Sequence, residues 1–268
     1  MQRLSHQRII QTLVEDYGQT QECLQFATYI SAYQYLKLYR LLEKYAPVAD
    51  TVKVLDWGTG SGHFSYFLAQ AGYQASGFGF SSRPLTCQNL AESNYAYHQG
   101  SPKDPTTLPF AEAVFDVVVS VGVLEHVRET GGDELSSLKE IYRVLKPGGH
   151  FLCFHFPNRY SWIEFLARFT NRFSHPYLFT STDIRALAEA TPFQLLEVDR
   201  YALLPRNIWQ ATVLSHRRWG PIAASTYNWL DWAAGKLLPY ICQNYYFVTR
   251  KPVEPASPER ASLCQTTE

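Results

Sequence analysis

Charge of one sign, paired cysteines and long apolar runs are all missing from this 268-residue sequence. Its 24 Lys and Arg balance 24 Asp and Glu, so there is no global field to attract nucleic acid or another polyanion. Cys23, Cys87, Cys153, Cys242 and Cys264 are scattered and odd in number. Without a CxxC pair they suggest neither a zinc site nor a disulfide framework. No apolar run approaches the roughly 20 residues that span a bilayer. The start, Met1-Gln2-Arg3-Leu4-Ser5-His6-Gln7, leads into polar sequence without the apolar core of a signal peptide. A reducing cytoplasm is therefore the expected compartment. No internal repeat is visible. The composition itself, 46% hydrophobic and 18% charged, is that of an ordinary globular chain. Aromatic content is high at 15%, and many of these residues follow Phe151.

Strand and helix signals alternate through the first two thirds. Residues 19–45 carry apolar positions at three- and four-residue steps and read as a helix that Pro47 stops. Residues 51–55 read as a buried strand, 63–71 as a helix ending at Gly72, and 73–80 as a second strand. A helix is expected over 85–93 and a third strand over 95–99. The stretch from Gly100 to Pro109 contains Pro102, Pro105 and Pro109 and reads as a loop. A β-branched run over 115–121 suits a strand covered on both faces. It is followed by a helix over 135–145, a turn at Lys146-Pro147-Gly148-Gly149 and a strand over 150–156. This alternation predicts an α/β fold with a mostly parallel sheet and helices on both faces. Beyond Pro157 the rhythm changes. Helices are expected over 161–173 and 182–190, with Ser181 or Thr182 as N-cap. Strands are expected over 193–201 and 244–249. Between them, 207–238 reads as a Trp-rich helical insertion, and 252–268 as a disordered tail.

The informative stretch is Val54-Leu55-Asp56-Trp57-Gly58-Thr59-Gly60-Ser61-Gly62-His63. A strand ends in a carboxylate, and glycines then alternate before a helix begins. Missing Cβ atoms let the backbone turn sharply and let a ligand press against it, while the helix N-terminus offers unpaired N–H groups. Dinucleotide sites favour G-x-G-x-x-G. Here the third glycine of that pattern would fall at His63, and the spacing is G-x-G-x-G after Asp56. That pattern suits a ligand with a cationic amino acid end, whose ammonium Asp56 can hold directly or through water. A ligand-free strand-to-helix turn is the bland alternative.

Three further pieces accompany the turn: Leu108-Pro109-Phe110 leading into Phe115-Asp116-Val117-Val118-Val119, then Val123-Leu124-Glu125-His126-Val127, then Leu145-Lys146-Pro147-Gly148-Gly149. In this order they resemble the class I S-adenosylmethionine-dependent methyltransferases, over about residues 52–157 and more loosely to 252. The resemblance implies a Rossmann-like domain with a seven-stranded, mostly parallel sheet, and helical insertions in the C-terminal half. It implies an N-terminal helical cap over 1–50, a cofactor-binding core over 51–157 and an acceptor-binding part of the same domain over 158–251. The implied cofactor is S-adenosyl-L-methionine. Its site would comprise Asp56, Trp57, Gly58, Thr59, Gly60, Gly62, Phe80, Ser81, Ser101, Ser120 and Val121.

Two positions depart from the family. Gly79 stands where an acidic residue usually accepts both ribose hydroxyls, and Gly100-Ser101 replaces the usual Gly-Asp of the adenine loop. Loss of a charged acceptor removes roughly 1.5–3 kcal/mol. Ser81, Ser82 or Asp104 replacing the contacts, a weakly bound cofactor, and a catalytically silent binding module are the three readings. A sharper rival is an NADP-binding oxidoreductase, because Ser81-Ser82-Arg83 resembles a 2′-phosphate cluster.

For an oxygen acceptor the enzyme also needs a base. His126, beyond the fourth strand, is the candidate; a histidine that merely packs or caps there is the other reading. No metal is expected, although Glu125, His126 and Glu129 fall where some quinone-pathway relatives hold one. The acceptor is expected to be a small molecule of quinone, glycan or secondary metabolism, with a phosphate- or lipid-linked one among the alternatives. Arg159, Tyr160 and His175 are its candidate contacts, with Arg168, Arg172, Arg217 and Arg218 as further cations. Trp209, Trp219, Trp229 and Trp232 are expected to pack as core over the acceptor pocket. The alternative for that segment is an amphipathic surface for peripheral membrane contact.

Overall fold

The computed structural model describes residues 3–170, 174–206 and 218–253. Arg172, Trp209, Arg217 and the expected tail from residue 254 lie outside them.

Apolar side chains on both faces of successive strands demand cover on both sides. β1 (Lys53–Trp57), β2 (Gln74–Gly79), β3 (Tyr95–Gln99), β4 (Phe115–Val121), β5 (Leu145–Pro157), β6 (Gln194–Tyr201) and β7 (Asn244–Arg250) form one sheet. Its order is β3-β2-β1-β4-β5-β7-β6. Neighbours from β3 through β5 pair in parallel, and β7 runs antiparallel to β5 and β6. This is the Rossmann-like, mostly parallel seven-stranded sheet that the sequence predicts. Val54, Val117, Val119, Leu152 and Phe154 enter a core shared with α1 (His6–Thr12), α3 (Tyr35–Tyr45) and α4 (His63–Ala71). Their neighbours Leu55, Val118, Phe151 and Cys153 enter a second core with α5 (Glu134–Val144) and α7 (Ser181–Glu189). The chain winds outward from β1 to β3, then restarts at β4 on the other side of β1. The strand order reverses there, and the crevice beyond the C-terminal ends of β1 and β4 is where such sheets take ligands.

Local physics departs from the sequence reading in five places. The single helix expected over 19–45 is broken into a 3-10 stretch (Gln21–Phe26), α2 (Tyr29–Ala32) and α3. Thr28 is extended, and its Oγ1 accepts the Ser31 amide to start α2. The helix expected over 85–93 shrinks to one 3-10 turn, Leu85–Cys87. The Arg83 guanidinium takes the Cys87 and Leu90 carbonyls, at 3.0 and 3.1 Å, which replaces helical bonding by a side chain. The expected turn at Lys146 to Gly149 is a bulge inside the long β5, where pairing slips from Phe115↔Leu145 to Val117↔His150. The predicted cap of α7 moves one residue earlier, to Thr180, which forms a capping box with Asp183.

The last correction concerns the Trp-rich insertion. Its described part is α8 (Gly220–Leu237), and Trp219, Trp229 and Trp232 are 54–62% exposed. They are not core. What α8 buries instead is Ala224 and Asp231. Asp231 accepts the Leu204 amide at 2.7 Å and the Arg206 guanidinium at 2.6 Å, with both charged side chains 8% exposed. Removing one partner of a buried pair strands the other charge. Asp231→Ala is therefore expected to cost about 3 kcal/mol, read as a lowered denaturant midpoint in chemical unfolding.

Candidate active site

The turn between β1 and α4 passes through left-handed backbone at Gly58, Gly60 and Gly62, with φ of 78°, 50° and 79°. The Gly58 and Thr59 amides both donate to the Phe78 carbonyl of β2 at 2.9 Å, and the Gly62 amide donates to Thr59. The amides of Gly60 and Ser61 take no part in these bonds. A Cβ at Gly58 would strike Val123 at 2.4 Å, whereas one at Gly60 would meet only the Gly58 carbonyl oxygen at 3.8 Å. Gly60 thus marks the open side of the turn, where a ligand can lie against backbone.

Asp56 sits beneath. It is 2% exposed, accepts the Ser65 hydroxyl at 2.7 Å, and burial pushes its carboxyl up to about 6. Thr59 Oγ donates to the Asp56 and Phe78 carbonyls at 3.1 Å, so it braces the turn. Ser120, fully buried, pairs in register with Trp57 across the β1–β4 ladder. Val121 follows it at the strand end. The Trp57 side chain packs in the α5–α7 core with Leu55 and Phe78, so only its backbone borders the turn. Phe80 packs edge-on to Phe78 at 5.9 Å.

The two departures from the family acquire a physical setting. A Cβ at Gly79 would lie 3.0 Å from the Tyr97 hydroxyl, which donates to the Ser81 carbonyl at 2.6 Å. A phenol from β3 therefore stands where a side chain at position 79 would go. Ser101 forms an isolated bridge with Asp104, and Asp104 accepts the Thr107 amide at 3.3 Å. Asp104 is thus occupied within its own loop. Arg83 is likewise committed to the Cys87 and Leu90 carbonyls, which occupies Nε–H and one Nη group that a 2′-phosphate would require.

Across the crevice, a 3-10 turn (Leu124–Thr130) carries Glu125 and His126. His126 Nδ1 lies 2.8 Å from Glu129, and its Nε2 is 3.9 Å from Glu125 Oε1. His175 approaches from the chain before α7, its ring centroid 5.4 Å from that of His126. His175 Nδ1 is held at 2.9 Å by Glu164 of α6 (Trp162–Phe169). Ligand atoms of Glu125, His126 and His175 lie within 4.8 Å of one another, and among the described residues these are the ones placed to hold a metal ion. Glu129 faces His126 from the far side.

Arg159 and Tyr160 are exposed. Arg159 lines a groove of about 710 Å³ with Arg128, Arg168, Tyr177 and Asp183. Arg128 and Tyr177, two residues beyond His126 and His175 in the sequence, belong to its lining, whereas the two histidines do not. The Tyr160 side chain is not part of that lining.

Two buried histidines escaped sequence reasoning. His155 of β5 has φ of 60°, a left-handed value rare outside glycine, at the bulge between Cys153 and Phe156. Its Nδ1 meets the Tyr201 hydroxyl at 3.0 Å, and burial pushes the ring down to about 4. His63 opens α4, and burial pushes it down to about 3. Tyr35 stands between the two rings, at 4.8 Å from His63 and 5.5 Å from His155. The available signal was a lone histidine inside the apolar run of β5.

Comparison with known proteins agrees with this geometry. A methyltransferase-domain family model matches residues 55–153. An uncharacterised methyltransferase of Synechocystis sp. is 30% identical over 154 residues, 56% of this chain and 70% of that protein. The O-methyltransferase rstn1 of Aspergillus nomiae is 30% identical over 158 residues, 54% of this chain and 65% of that protein. The ubiquinone/menaquinone biosynthesis C-methyltransferase UbiE of Geotalea daltonii is 33% identical over 120 residues, 42% of this chain and 48% of that protein. The chain therefore spans less than two thirds of the relatives named by reaction. Haemonchus contortus phosphoethanolamine N-methyltransferase 2, solved with S-adenosyl-L-methionine, shares the fold at TM-score 0.54 and 17% identity, covering 91% of this chain and 60% of that one. The chain belongs to the class I S-adenosylmethionine-dependent methyltransferases, and it is a methyltransferase enzyme.

Glu125 offers a direct check on the site. It is 2% exposed, its Oε2 has no hydrogen-bond partner, and burial pushes its carboxyl from 4.5 up to about 8. The fold thus holds this proton more tightly than the unfolded chain does. The resulting stability is complete below pH 4.5 and is lost as the pH rises through 8. Glu125→Gln is expected to leave stability unchanged at pH 4 and to raise it by about 4 kcal/mol at pH 8. Urea unfolding at the two pH values reads the difference.

Proposed function

We propose that the chain binds S-adenosylmethionine at the β1–α4 turn and delivers its methyl group to an oxygen of a small-molecule acceptor carrying a phosphate or carboxylate. The observation that carries this reading is the turn itself, left-handed at three glycines, open at Gly60 and backed by the buried Asp56 at the switch point of the sheet. The sulfonium supplies an already activated methyl group, so the protein's work is to hold, align and exclude water. Asp56 and the amides of Gly60 and Ser61 receive the amino acid end of the cofactor, a carboxylate for its ammonium and N–H donors for its carboxylate. Tyr97, whose one hydroxyl hydrogen goes to the Ser81 carbonyl, takes over at the ribose as a neutral acceptor in place of a charged one. His126 accepts the proton of the acceptor hydroxyl, and Glu129 at Nδ1 sets the ring so that Nε2 is the basic atom.

The acceptor comes from the side of residues 158–251. Arg128, Arg159 and Arg168 along the 710 Å³ groove suit an anionic end, since guanidinium pairs with phosphate and carboxylate alike. We assign the enzyme to a reducing compartment, the cytoplasm, a reading supported by four free buried cysteines, Cys23, Cys87, Cys153 and Cys242.

Calorimetric titration with S-adenosylhomocysteine, and separately with NADPH, tests the cofactor. Binding of the first is expected; binding of NADPH alone points to an oxidoreductase, and silence from both to a module without catalysis. Gly60→Ala is expected to weaken S-adenosylhomocysteine about tenfold, through side-chain intrusion and roughly 1–2 kcal/mol of backbone strain. His126→Ala is expected to lower kcat on the true acceptor about a hundredfold. An unchanged kcat would move the role of base to another residue.

A further inference from the structure

Two helices of this protein face the wrong way. α8 turns Ile222, Trp229, Leu230, Trp232 and Leu237 outward, and α6 does the same with Phe165, Leu166 and Phe169, all between 47 and 82% exposed. What they bury includes a carboxylate each: Asp231 beside Ala224 from α8, and Glu164 from α6. A helix on the surface of a globular protein normally shows the opposite arrangement, and an exposed apolar area of this extent marks a binding surface.

Both helices are anchored from behind to the same two chain segments. Trp162 donates to the Leu203 carbonyl at 2.8 Å, next to the Leu204 amide that binds Asp231. Asn158, just ahead of α6, donates to the carbonyls of Tyr240 and Cys242, just after α8, at 2.8 Å each. Gln243 reaches Glu164 at 3.4 Å. The rear of each helix is thus tied to the chain around residues 203–204 and 240–243, and each is held by a buried ion pair, Glu164–His175 at 2.9 Å and Asp231–Arg206 at 2.6 Å.

Charge identifies the occupant. Within residues 158–170 and 218–243 the only acidic residues are Glu164 and Asp231, and both are buried. The exposed charges of these segments are Arg159, Arg168, Arg218 and Lys236, all positive in a chain with a net charge of +0. Lys236 makes a 3.6 Å contact with Asp199 of β6 while staying largely exposed. Indole rings, with an apolar body and one N–H, suit the layer where lipid headgroups meet acyl chains. Cations beside them suit anionic headgroups. A second copy of the same face would bring like charges together. No helix among the described residues is long and apolar enough to cross a membrane, so contact would be with the bilayer surface.

We propose that the outward faces of α6 and α8 dock on the surface of an anionic lipid bilayer, with Trp219, Trp229 and Trp232 in the headgroup layer and Arg218 and Lys236 against lipid phosphates. The surface is separate from the β1–α4 turn and stands whether or not the acceptor is the one proposed above.

The test is co-sedimentation of the full chain with phosphatidylcholine vesicles, with and without phosphatidylglycerol. The wild type is expected to partition onto the anionic vesicles about tenfold more than onto the neutral ones, with a blue shift of Trp fluorescence. Trp229→Ala with Trp232→Ala is expected to lower that partition about tenfold, because each ring is mostly outside the fold. Lys236→Glu with Arg218→Glu is expected to remove the preference for anionic lipid. Both variants should keep the wild-type unfolding midpoint and S-adenosylhomocysteine affinity. Failure of the wild type to bind either vesicle, or equal binding by the tryptophan variant, overturns the proposal. So does a concentration-dependent dimer, seen by sedimentation equilibrium, that the tryptophan variant abolishes, since a second copy would then own the face.

Discussion

The turn from β1 into α4 visits the left-handed region three times in five residues, at Gly58, Gly60 and Gly62. Everything around the site is arranged to make that backbone path affordable and to keep it open. The Phe78 carbonyl of β2 receives two successive amides from it, Thr59 braces it from inside, and Val123 closes against Gly58 where a side chain would otherwise be. With β2 and β4 both hydrogen-bonded to β1, the turn is carried on a three-strand ladder rather than on a loose loop. A site so supported is pre-shaped, and a ligand bound there need not first order the chain.

Burial then sorts the ionisable groups. Asp56 and Glu125 are pushed upward, to about 6 and about 8, and His63 and His155 downward, to about 3 and about 4. At neutral pH the two buried imidazoles and the Glu125 carboxyl are thus neutral, which limits the charge in the crevice. His126 and His175, each held at Nδ1 by a carboxylate, lie toward the exposed edge. Asp56 is then the charged group at the turn, while Arg159 and Arg168 line the groove outside with Arg128, which is paired to Glu134 at 2.9 Å. That arrangement suits an acceptor with a reactive hydroxyl at one end and an anion at the other.

Much of this was legible from sequence because it rests on local rules. The glycine spacing after Asp56, the apolar runs of β4 and β7, and the helix His63–Ala71 with its Gly72 stop each have one cheap local solution. What could not be read depends on contacts between distant residues. Arg83 replaces the bonding of an expected helix with its own side chain, and Tyr97 occupies the place of a missing carboxylate from a neighbouring strand. The histidine at 155 looked like one more strand residue until the bulge turned it inward. The expectation that Trp219, Trp229 and Trp232 pack as core failed as well, because aromatic content does not say which way a helix face points. The buried Asp231–Arg206 pair decided the direction, and no rule of sequence spacing links position 231 to position 206.

The account stands on the identity of the ligand at the β1–α4 turn, and a crystal structure grown with S-adenosylhomocysteine tests that most directly. It should show the homocysteine amino and carboxylate groups against Gly60 and Ser61, above Asp56, with the ribose beside the Tyr97 hydroxyl. Nucleoside density elsewhere on the molecule, or a turn left empty at saturating ligand, would contradict it.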